Sequence, residues 1–276
     1  MYPLNKFKEN GVSWPFSISG LTDQNLEKRY FEFKEKANLK MKRDITLKPN
    51  LISKFFDSLC FDNGILENVK KIIGPDIYIW SSAIFAKPPG SGKLVSFHQD
   101  NPYWQLTTNN VITVWIALTE SNKQSGALEV VPKSSKLGVI NNIDVANARE
   151  AYVEGLKTTP KDDMLSYKQD LNKFLKENNS EVVSLKSSEY SIHHVNTVHG
   201  SGINKSNNYR IGYAVRYISS DTQHHELEKD YALHVCGKKN SYFIDEKRPK
   251  VDFGKDEIND YELSMKSGGA FGNKKY

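Results

Sequence analysis

A series of short segments rich in β-branched and aromatic residues most constrains the fold of this 276-residue chain. Clusters of Gly, Pro, Asn and Ser separate the segments, as is typical of strands joined by turns. This pattern predicts an all-β core of short antiparallel strands, arranged as a sandwich or a barrel. The segments are "DIYIWSSAIFAK" (76–87), "VITVWIALTE" (111–120), "GALEVVP" (126–132), "EVVSLKSSEYSIHHV" (181–195) and "YRIGYAVRYIS" (209–219).

The residues before this core have a different periodicity, which predicts mainly helices. In "TDQNLEKRYFEFKEKANLK", Thr22 is a candidate N-cap. Leu26, Tyr30 and Phe33 then recur at helical spacing. "KPNLISKFFDSLCF" and "GILENVKKIIG" predict two further amphipathic helices, and the second of them ends at Gly74.

We expect a single domain over residues 1–276, with flanking helices around the β-core. The helical N-terminal part covers 1–75, the core 76–220, and a C-terminal extension 221–276. A polar, helix-like insert at 139–180 interrupts the core. An insert of this length is either a lid over a site or a solvated surface excursion, and the sequence leaves both open.

Composition argues against several classes of protein. The net charge is +5, but the lysines are scattered, so nucleic-acid binding is not expected. No apolar run approaches the roughly 20 residues of a membrane span, and the N-terminus lacks the apolar core of a secretory signal. Cys60 and Cys236 form no paired motif, which suits a reducing compartment. We therefore expect a cytoplasmic protein that acts on a small molecule, with its oligomeric state open.

The stretch "LVSFHQDNPYW" contains a histidine and an aspartate two residues apart. If residues 95–100 are extended, Ser96, His98 and Asp100 share one face. An imidazole nitrogen and a carboxylate oxygen can then meet at one metal ion. The triplet alone is weak evidence, because such spacings also arise by chance.

A second histidine strengthens the prediction of a metal site. His199 lies about a hundred residues further on, after a β-like run and before a Gly-Ser-Gly turn. Two histidines and one carboxylate form the facial triad of non-haem Fe(II) oxygenases, which leaves three positions open. Zinc is the competing metal for such a ligand set.

A cationic strand face follows the second histidine. Arg210 and Arg216 share one face of "YRIGYAVRYIS" with small residues between them. A guanidinium matches a carboxylate bidentately, so this face suits a buried dicarboxylate such as 2-oxoglutarate. Two surface arginines on an edge strand are the alternative, which the interleaved apolar residues weaken.

Together these stretches resemble the phytanoyl-CoA dioxygenase family of Fe(II)- and 2-oxoglutarate-dependent oxygenases, near its bacterial hydroxylases and halogenases. The matching pieces are "FHQDNPYW", "VITVWIALTESNKQSGALEVVPKSSKLG" and "SIHHVNTVHGSGINKSNNYRIGYAVRYI", and the resemblance covers about 76–220. It implies a double-stranded β-helix, the cupin-like jelly roll. It also implies Fe(II) as the metal, 2-oxoglutarate and O2 as cosubstrates, and ascorbate as a reductant in vitro.

The resemblance assigns roles to individual residues. His98, Asp100 and His199 would hold the iron. Arg210 would clamp the distal carboxylate of 2-oxoglutarate, Ser201 would donate a hydrogen bond to it, and Trp115 would line that pocket. From the residues alone, Trp115 could equally be part of the core.

The carboxylate at Asp100 bears on the type of reaction. Halogenating members of the family have a small residue at this position, so that chloride can bind the metal. The resemblance therefore implies hydroxylation of an unactivated C–H bond. A cupin-like metalloenzyme without 2-oxoglutarate is the main alternative, and a non-catalytic binding module is a further one.

Substrate contacts are harder to assign. Candidates are Tyr103 and Gln105 after the metal motif, Arg216, and Lys87, which as a loop lysine could also be solvated. The substrate class stays open between a small anionic compound, such as an amino acid or a phosphonate, and a natural-product intermediate.

Four further histidines need an interpretation. His193 and His194 alternate along their strand, so at most one points inward, as a structural histidine or a partner of a ligand rather than a fourth ligand. His224 and His225 are expected in a solvated loop, with substrate contact as the alternative, because a C-terminal segment can cover the mouth of a jelly roll.

Overall fold

The computed structural model describes residues 3–21, 25–140, 162–165 and 169–266. Within these ranges the helices are α1 Pro3–Asn10, α2 Leu26–Met41, α3 Lys54–Cys60, α4 Asn63–Ile73, α5 Asn101–Trp104, α6 Asn172–Glu177 and α7 Lys255–Lys266. The strands are β1 Val12–Ser17, β2 Ile77–Lys87, β3 Val95–His98, β4 Val111–Ala117, β5 Leu128–Val130, β6 Glu181–Val182, β7 Glu189–His194, β8 His199–Ser201, β9 Arg210–Ser219, β10 Asp230–Cys236 and β11 Phe243–Asp245.

The strands form two sheets, as the sequence predicts. The larger sheet has the order β1-β7-β4-β9-β2-β10-β11, and the smaller one β3-β8-β5-β6. All pairs are antiparallel except β10 with β11. An apolar cluster that includes Trp115 and Ala214 of the large sheet and Leu128 and Val130 of the small sheet lies between them. This is the double-stranded, jelly-roll arrangement that was expected.

The opposite face of the large sheet is covered by helices. Phe56 of α3 packs edge-on against Tyr213 of β9, with ring centroids 4.8 Å apart. Tyr213 also contacts Cys60, whose Sγ lies 3.0 Å from the phenolic oxygen. Since side chains alternate along a strand, one face of β9 is fixed against these helices, and the face with both arginines turns toward the small sheet. The alternation predicted for this strand is therefore confirmed.

The helix ends have local causes. The α2 helix is capped by Asn25, whose Oδ1 accepts a hydrogen bond from the Lys28 backbone N–H at 3.0 Å. Thr22, the predicted cap, lies outside the described residues. Asp62 caps α4 in the same way, through the Ile65 N–H. Gly74 ends α4 as predicted.

Three strands lie outside the region predicted to form the core. β1 pairs with β7 within the N-terminal part that was predicted to be mainly helical. β10 pairs with β2, and β11 with β10, within the predicted C-terminal extension. β1 contains Pro15, and its register with β7 shifts between Ser13 and Phe16, so a short strand pattern is obscured.

Little of the 139–180 insert is described. Residues 162–165 run beside β3, and α6 is the helix described in this part of the chain. The other residues of the predicted helical insert lie outside the described ranges. None of the described helices is long and apolar enough to span a membrane.

Candidate metal centre and adjoining cavity

Two histidines meet because of strand register. β3 and β8 are antiparallel neighbours, and His98 lies directly opposite His199. Their side chains therefore point to the same face, and the ring centroids are 4.2 Å apart. Residues a hundred positions apart thus form one side of a compact polar cluster.

Asp100 joins this cluster through a turn. β3 ends at His98, and Asp100 has helical backbone angles (φ −69°, ψ −37°) at the start of α5. The prediction that 95–100 is a continuous strand is therefore wrong, and Ser96 instead hydrogen-bonds Asp163. Asp100 Oδ1 nevertheless lies 3.5 Å from His98 Nε2 and 3.9 Å from His199 Nε2.

The backbone orients both imidazoles. Nδ1 of His98 lies 2.9 Å from the Ser96 carbonyl oxygen, and Nδ1 of His199 lies 2.9 Å from the Thr197 carbonyl oxygen. A carbonyl can only accept, so each Nδ1 carries the proton and each Nε2 presents a lone pair.

The three ligand atoms fit one metal ion. They lie within 4.8 Å of one another, and all three residues are buried. The donor set of two neutral imidazoles and one carboxylate suits a divalent ion with open coordination positions.

Electrostatics favours the protonation states that a metal needs. Burial raises the pKa of Asp100, but His199 and His98 outweigh it, and the pKa falls below its usual range. Burial and the neighbouring His98 lower the pKa of His199 to about 4. At neutral pH the carboxylate is therefore ionised and this imidazole is neutral.

A second polar group lies near the cluster. His193 of β7 points inward, and its Nε2 is 3.9 Å from Asp100 Oδ2, the oxygen on the far side from His98 and His199. His194 points to the opposite face, toward α1, as alternation requires. His193 thus lies beside both Asp100 and His199, with its ring centroid 4.6 Å from that of His199, but it is not one of the three grouped ligand candidates.

At the other end of the site, two cations lie side by side. Lys87 of β2 and Arg210 of β9 are directly opposite each other in register. Lys87 Nζ donates to Ser201 Oγ at 2.7 Å, and Arg210 Nη2 lies 3.5 Å from the same oxygen. Both side chains are fully buried, so the expectation of a solvated loop lysine is wrong for Lys87.

No carboxylate among the described residues forms a salt bridge with this pair. Burial and the charge of Arg210 lower the pKa of Lys87 to about 6, and burial lowers the pKa of Arg210 to about 10. Like charges at directly opposed strand positions destabilise a sheet. Within the described chain, the hydroxyl of Ser201 and backbone carbonyls are the groups that hydrogen-bond them. The arrangement is therefore suited to a bound anion.

Trp115 lies between the metal cluster and the pair of cations. Its indole ring is 5.6 Å from the Arg210 guanidinium carbon. A Cβ at Gly212 would lie 1.9 Å from Trp115 Cζ2, so the glycine is what admits the indole. Trp115 both lines the cavity and packs in the apolar cluster between the sheets.

One cavity of about 250 Å³ connects these groups. The triad, Ser201, Trp115 and Arg210 line it, together with Tyr103 and Arg216. Gln105 and Lys87 are not among the described lining residues, although Lys87 hydrogen-bonds the lining residue Ser201. His225 is exposed as expected, but His224 is buried beside Leu106, so a solvated loop is wrong for His224.

The insert contributes to the cavity lining, although sequence reasoning named none of the residues involved. Met164 and Leu165, in the described segment 162–165, line the cavity. This segment is held beside β3 by hydrogen bonds: Met164 N donates to the Leu94 carbonyl, and Asp163 accepts from Ser96. No local pattern in the insert signals this contact, which depends on strand β3 being an edge.

Gln99, between the two metal-motif residues, organises the surroundings. Its Nε2 donates to the carbonyls of Gly138 and Asn196 at 2.8 and 2.7 Å. Its Oε1 accepts from Ile140 N and Gln169 Nε2. Gln99 thereby ties both described ends of the insert to the metal motif.

The two facing sheets, with a histidine–carboxylate cluster and Arg210 lining one cavity, define a jelly-roll protein of the oxygenase class. The family model for phytanoyl-CoA dioxygenase (PhyH) matches residues 24–212, and the chain belongs to this family. The resemblance predicted from the sequence is thereby confirmed.

Individual relatives are more distant. A probable α-ketoglutarate-dependent hypophosphite dioxygenase of Stutzerimonas stutzeri is 27% identical over 223 residues, 81% of this chain and 70% of the relative. An ectoine dioxygenase of Streptomyces avermitilis is 27% identical over 159 residues, 55% of this chain and 52% of the relative, so the match spans about half its length. The solved structure of apo ThoJ, a non-heme monooxygenase, has a TM-score of 0.75 at 22% identity and covers 94% of this chain and 93% of ThoJ.

Proposed function

We propose that this protein is an Fe(II)- and 2-oxoglutarate-dependent dioxygenase that hydroxylates an unactivated C–H bond of a small molecule. The observation that carries the proposal is that one cavity is lined by both a buried His98–Asp100–His199 cluster and the buried Arg210, which lies directly opposite Lys87 on the neighbouring strand. A cupin-like metalloenzyme without a dicarboxylate cosubstrate would not need the buried cations Lys87 and Arg210.

His98, Asp100 and His199 would hold iron(II), with both imidazoles bound through Nε2. When bound, the iron with 2-oxoglutarate and O2 supplies the oxidising chemistry that converts C–H to C–OH and releases succinate and CO2. The protein's part is to hold the ligands in their protonation states and to exclude water. The carboxylate of Asp100 occupies the position that halide would need, which favours hydroxylation over halogenation.

Lys87, Arg210 and Ser201 would bind the distal carboxylate of 2-oxoglutarate. A guanidinium and an ammonium on one hydroxyl provide several donors for two carboxylate oxygens. Trp115 would form the wall beside the cosubstrate, since Gly212 lets its ring lie against β9. The buried cations are then compensated when the cosubstrate is bound.

Two of the relatives support a small, polar substrate. Hypophosphite and ectoine, named for the two relatives above, are both compact molecules. The cavity of about 250 Å³ must also accommodate 2-oxoglutarate, which leaves little room for a large substrate.

The test has two stages. Anaerobic protein with Fe(II) should develop the visible charge-transfer band of an iron-bound 2-oxo acid when 2-oxoglutarate is added. A panel of small metabolites, screened with O2 and ascorbate, should then contain compounds that raise succinate release above the uncoupled background.

Variants test whether Arg210 binds 2-oxoglutarate. Arg210→Ala should lose the band at cosubstrate concentrations that saturate the wild type. Arg43→Ala, which removes a half-exposed surface arginine, is the matched control and should not change it. A wild-type protein that binds iron but never forms the band would support a metalloenzyme independent of 2-oxoglutarate.

A further inference from the structure

The strand that carries His98 ends at a point held by a side chain from the insert. β3 stops at His98, and the next backbone N–H, that of Gln99, donates to Oε1 of Gln169 at 2.8 Å. The chain then turns, and the Asp100 N–H donates to the Val195 carbonyl at 3.1 Å. Because Gln99 lies between two proposed metal ligands, its backbone fixes how Asp100 comes round to His98.

Gln99 and Gln169 form a buried pair of side-chain amides in which each polar atom has a partner of the right kind. Gln169 Nε2 donates to Gln99 Oε1 at 3.1 Å and to the Ile140 carbonyl. Gln99 Nε2 donates to the Gly138 and Asn196 carbonyls. Both side chains are fully buried, so a rotated amide would set oxygen against oxygen. The pair therefore has one orientation, and a satisfied buried network of this kind specifies a single geometry.

The same network reaches the second ligand histidine. Asn196, whose carbonyl accepts from Gln99, is followed directly by Thr197. The Thr197 carbonyl in turn accepts from Nδ1 of His199 and so orients its ring. The backbone that carries Asp100 and the backbone that orients His199 are therefore both tied to the buried amide pair.

Apolar packing anchors the insert segment that supplies Gln169. Leu171, two residues further along the chain, is 1% exposed and belongs to a cluster with Val198 and Phe97. Each of these two residues immediately precedes a ligand histidine. Since neighbouring side chains on a strand point to opposite faces, this cluster lies behind the ligands, on the outer face of the small sheet. The position of Gln169 is therefore fixed from the same strands that it helps to hold.

We propose that Gln169 is a positioning residue of the metal centre, because its amide holds the turn that brings Asp100 beside the two histidines. This inference rests on the proposed function, since it takes His98, Asp100 and His199 as the metal ligands. Gln169 acts through the backbone of Gln99, and groups that orient metal ligands contribute about tenfold to a hundredfold to metal affinity. The described end of the insert is then a component of the metal centre and not a solvated surface excursion.

The test measures the Co(II) affinity of the folded protein by competition with a chelator. Gln169→Met keeps a side chain of similar length without the amide, and it should weaken Co(II) binding by about tenfold or more. Asn50→Leu is the matched control, because it removes another buried amide, one that accepts from Ser82 Oγ in the N-terminal helical part. It should lower the free energy of unfolding but bind Co(II) as wild type does, so a general loss of stability is distinguished from loss of positioning.

A second measurement uses the wild-type protein and needs no substitution. If Gln169 strengthens metal binding by holding the turn, metal binding must by reciprocity strengthen the placement of Gln169. Hydrogen exchange of the backbone amides in segment 169–177, which includes α6, should therefore slow when Co(II) binds. The reference is helix α2, which packs in the apolar cluster on the other side of the large sheet, and its exchange should slow less.

The outcomes separate the two proposals. Wild-type protein that binds no divalent metal would overturn the ligand set of the proposed function, and this inference with it. Normal metal binding by wild type, with a Gln169→Met variant that loses no more affinity than Asn50→Leu, would overturn the inference alone. If Gln169→Met does not fold, the exchange measurement decides, and slowing in segment 169–177 no greater than in α2 would overturn the inference.

Discussion

Lys87 and Arg210 lie directly opposite each other on neighbouring antiparallel strands, and both are within hydrogen-bonding distance of the Ser201 hydroxyl. Two buried cations in this arrangement repel each other. The lowered pKa of Lys87, about 6, is the consequence of burial and of that repulsion. Lys87 is therefore largely neutral at neutral pH in the anion-free site.

Binding of 2-oxoglutarate is expected to be coupled to proton uptake. The pKa of Lys87 is about 6 in the anion-free site, and a bound carboxylate favours its protonated form. Above pH 6, binding must therefore take up a proton, and affinity should fall as the pH rises toward 8. Calorimetric titration in buffers of different ionisation enthalpy measures the proton number.

The control for this prediction is a lysine variant away from the site. Lys87→Met should weaken cosubstrate binding and remove most of its pH dependence between pH 6 and 8. Lys186→Met, at an exposed position, should leave both unchanged. A wild-type affinity that is flat over this range would contradict the prediction.

Gly212→Ala should disturb Trp115 specifically. The added Cβ would lie 1.9 Å from Trp115 Cζ2, so the indole must move. Overpacking of this kind costs about 1–3 kcal/mol of unfolding free energy, and the displaced ring should also lower 2-oxoglutarate affinity. Denaturant unfolding and the charge-transfer titration measure the two effects.

A double-mutant cycle identifies the cause. Combining Gly212→Ala with Trp115→Phe should recover part of the lost stability, because the smaller ring leaves room for the methyl group. Gly92→Ala, whose Cβ would meet nothing closer than 3.8 Å, should be neutral. Strict additivity of the two substitutions would argue against a direct clash.

Loss of a triad side chain should remove metal binding and, with it, cosubstrate binding. Asp100→Ala and His199→Ala should each weaken Fe(II) or Co(II) affinity by more than about tenfold, since even groups that only orient ligands contribute that much. The same loss is expected when wild-type protein is treated with a chelator. Metal content after dialysis and the charge-transfer band report it.

The matched histidine control is His225→Ala, at an exposed position outside the cavity, which should bind metal as wild type does. His193→Phe should retain metal but bind it less tightly, because Asp100 Oδ2 loses a neighbour at 3.9 Å. Full metal affinity in Asp100→Ala would contradict the proposed ligand set.

Gln99→Leu should destabilise the protein without touching a proposed ligand. It would leave the carbonyls of Gly138 and Asn196 and the Ile140 N–H without their present partner. Each buried group left unsatisfied costs about 1–3 kcal/mol. Urea unfolding should therefore show a clear loss, whereas Gln124→Leu, at an exposed position, should show little. Equal stability of the two variants would mean that water replaces Gln99.

Several features were predictable because they depend on local rules. Side chains alternate with a strict period of two, so the face shared by Arg210 and Arg216 followed from the sequence of β9. The end of α4 at Gly74 followed from helix-termination chemistry. The family followed from motifs that occur along this sequence in the same order as in the family it resembles.

Other features depended on where a strand ends, which the alternation of residue types in the sequence does not show. The alternation argument reached the right neighbours, His98 and Asp100, for the wrong reason, because the strand stops between them and a turn brings the carboxylate round. Lys87 looked like a loop lysine beside Pro88, yet it ends β2 and is fully buried.

The amino-acid sequence by itself determined the strands of the core, the candidate ligands and the family. Only the tertiary structure decided which polar groups meet: His98 with His199, Lys87 with Arg210, and Thr113 with Arg216. Each pair is brought together by strand register between residues about a hundred or more positions apart. Register depends on the packing of whole sheet faces, and that information is distributed over the entire core.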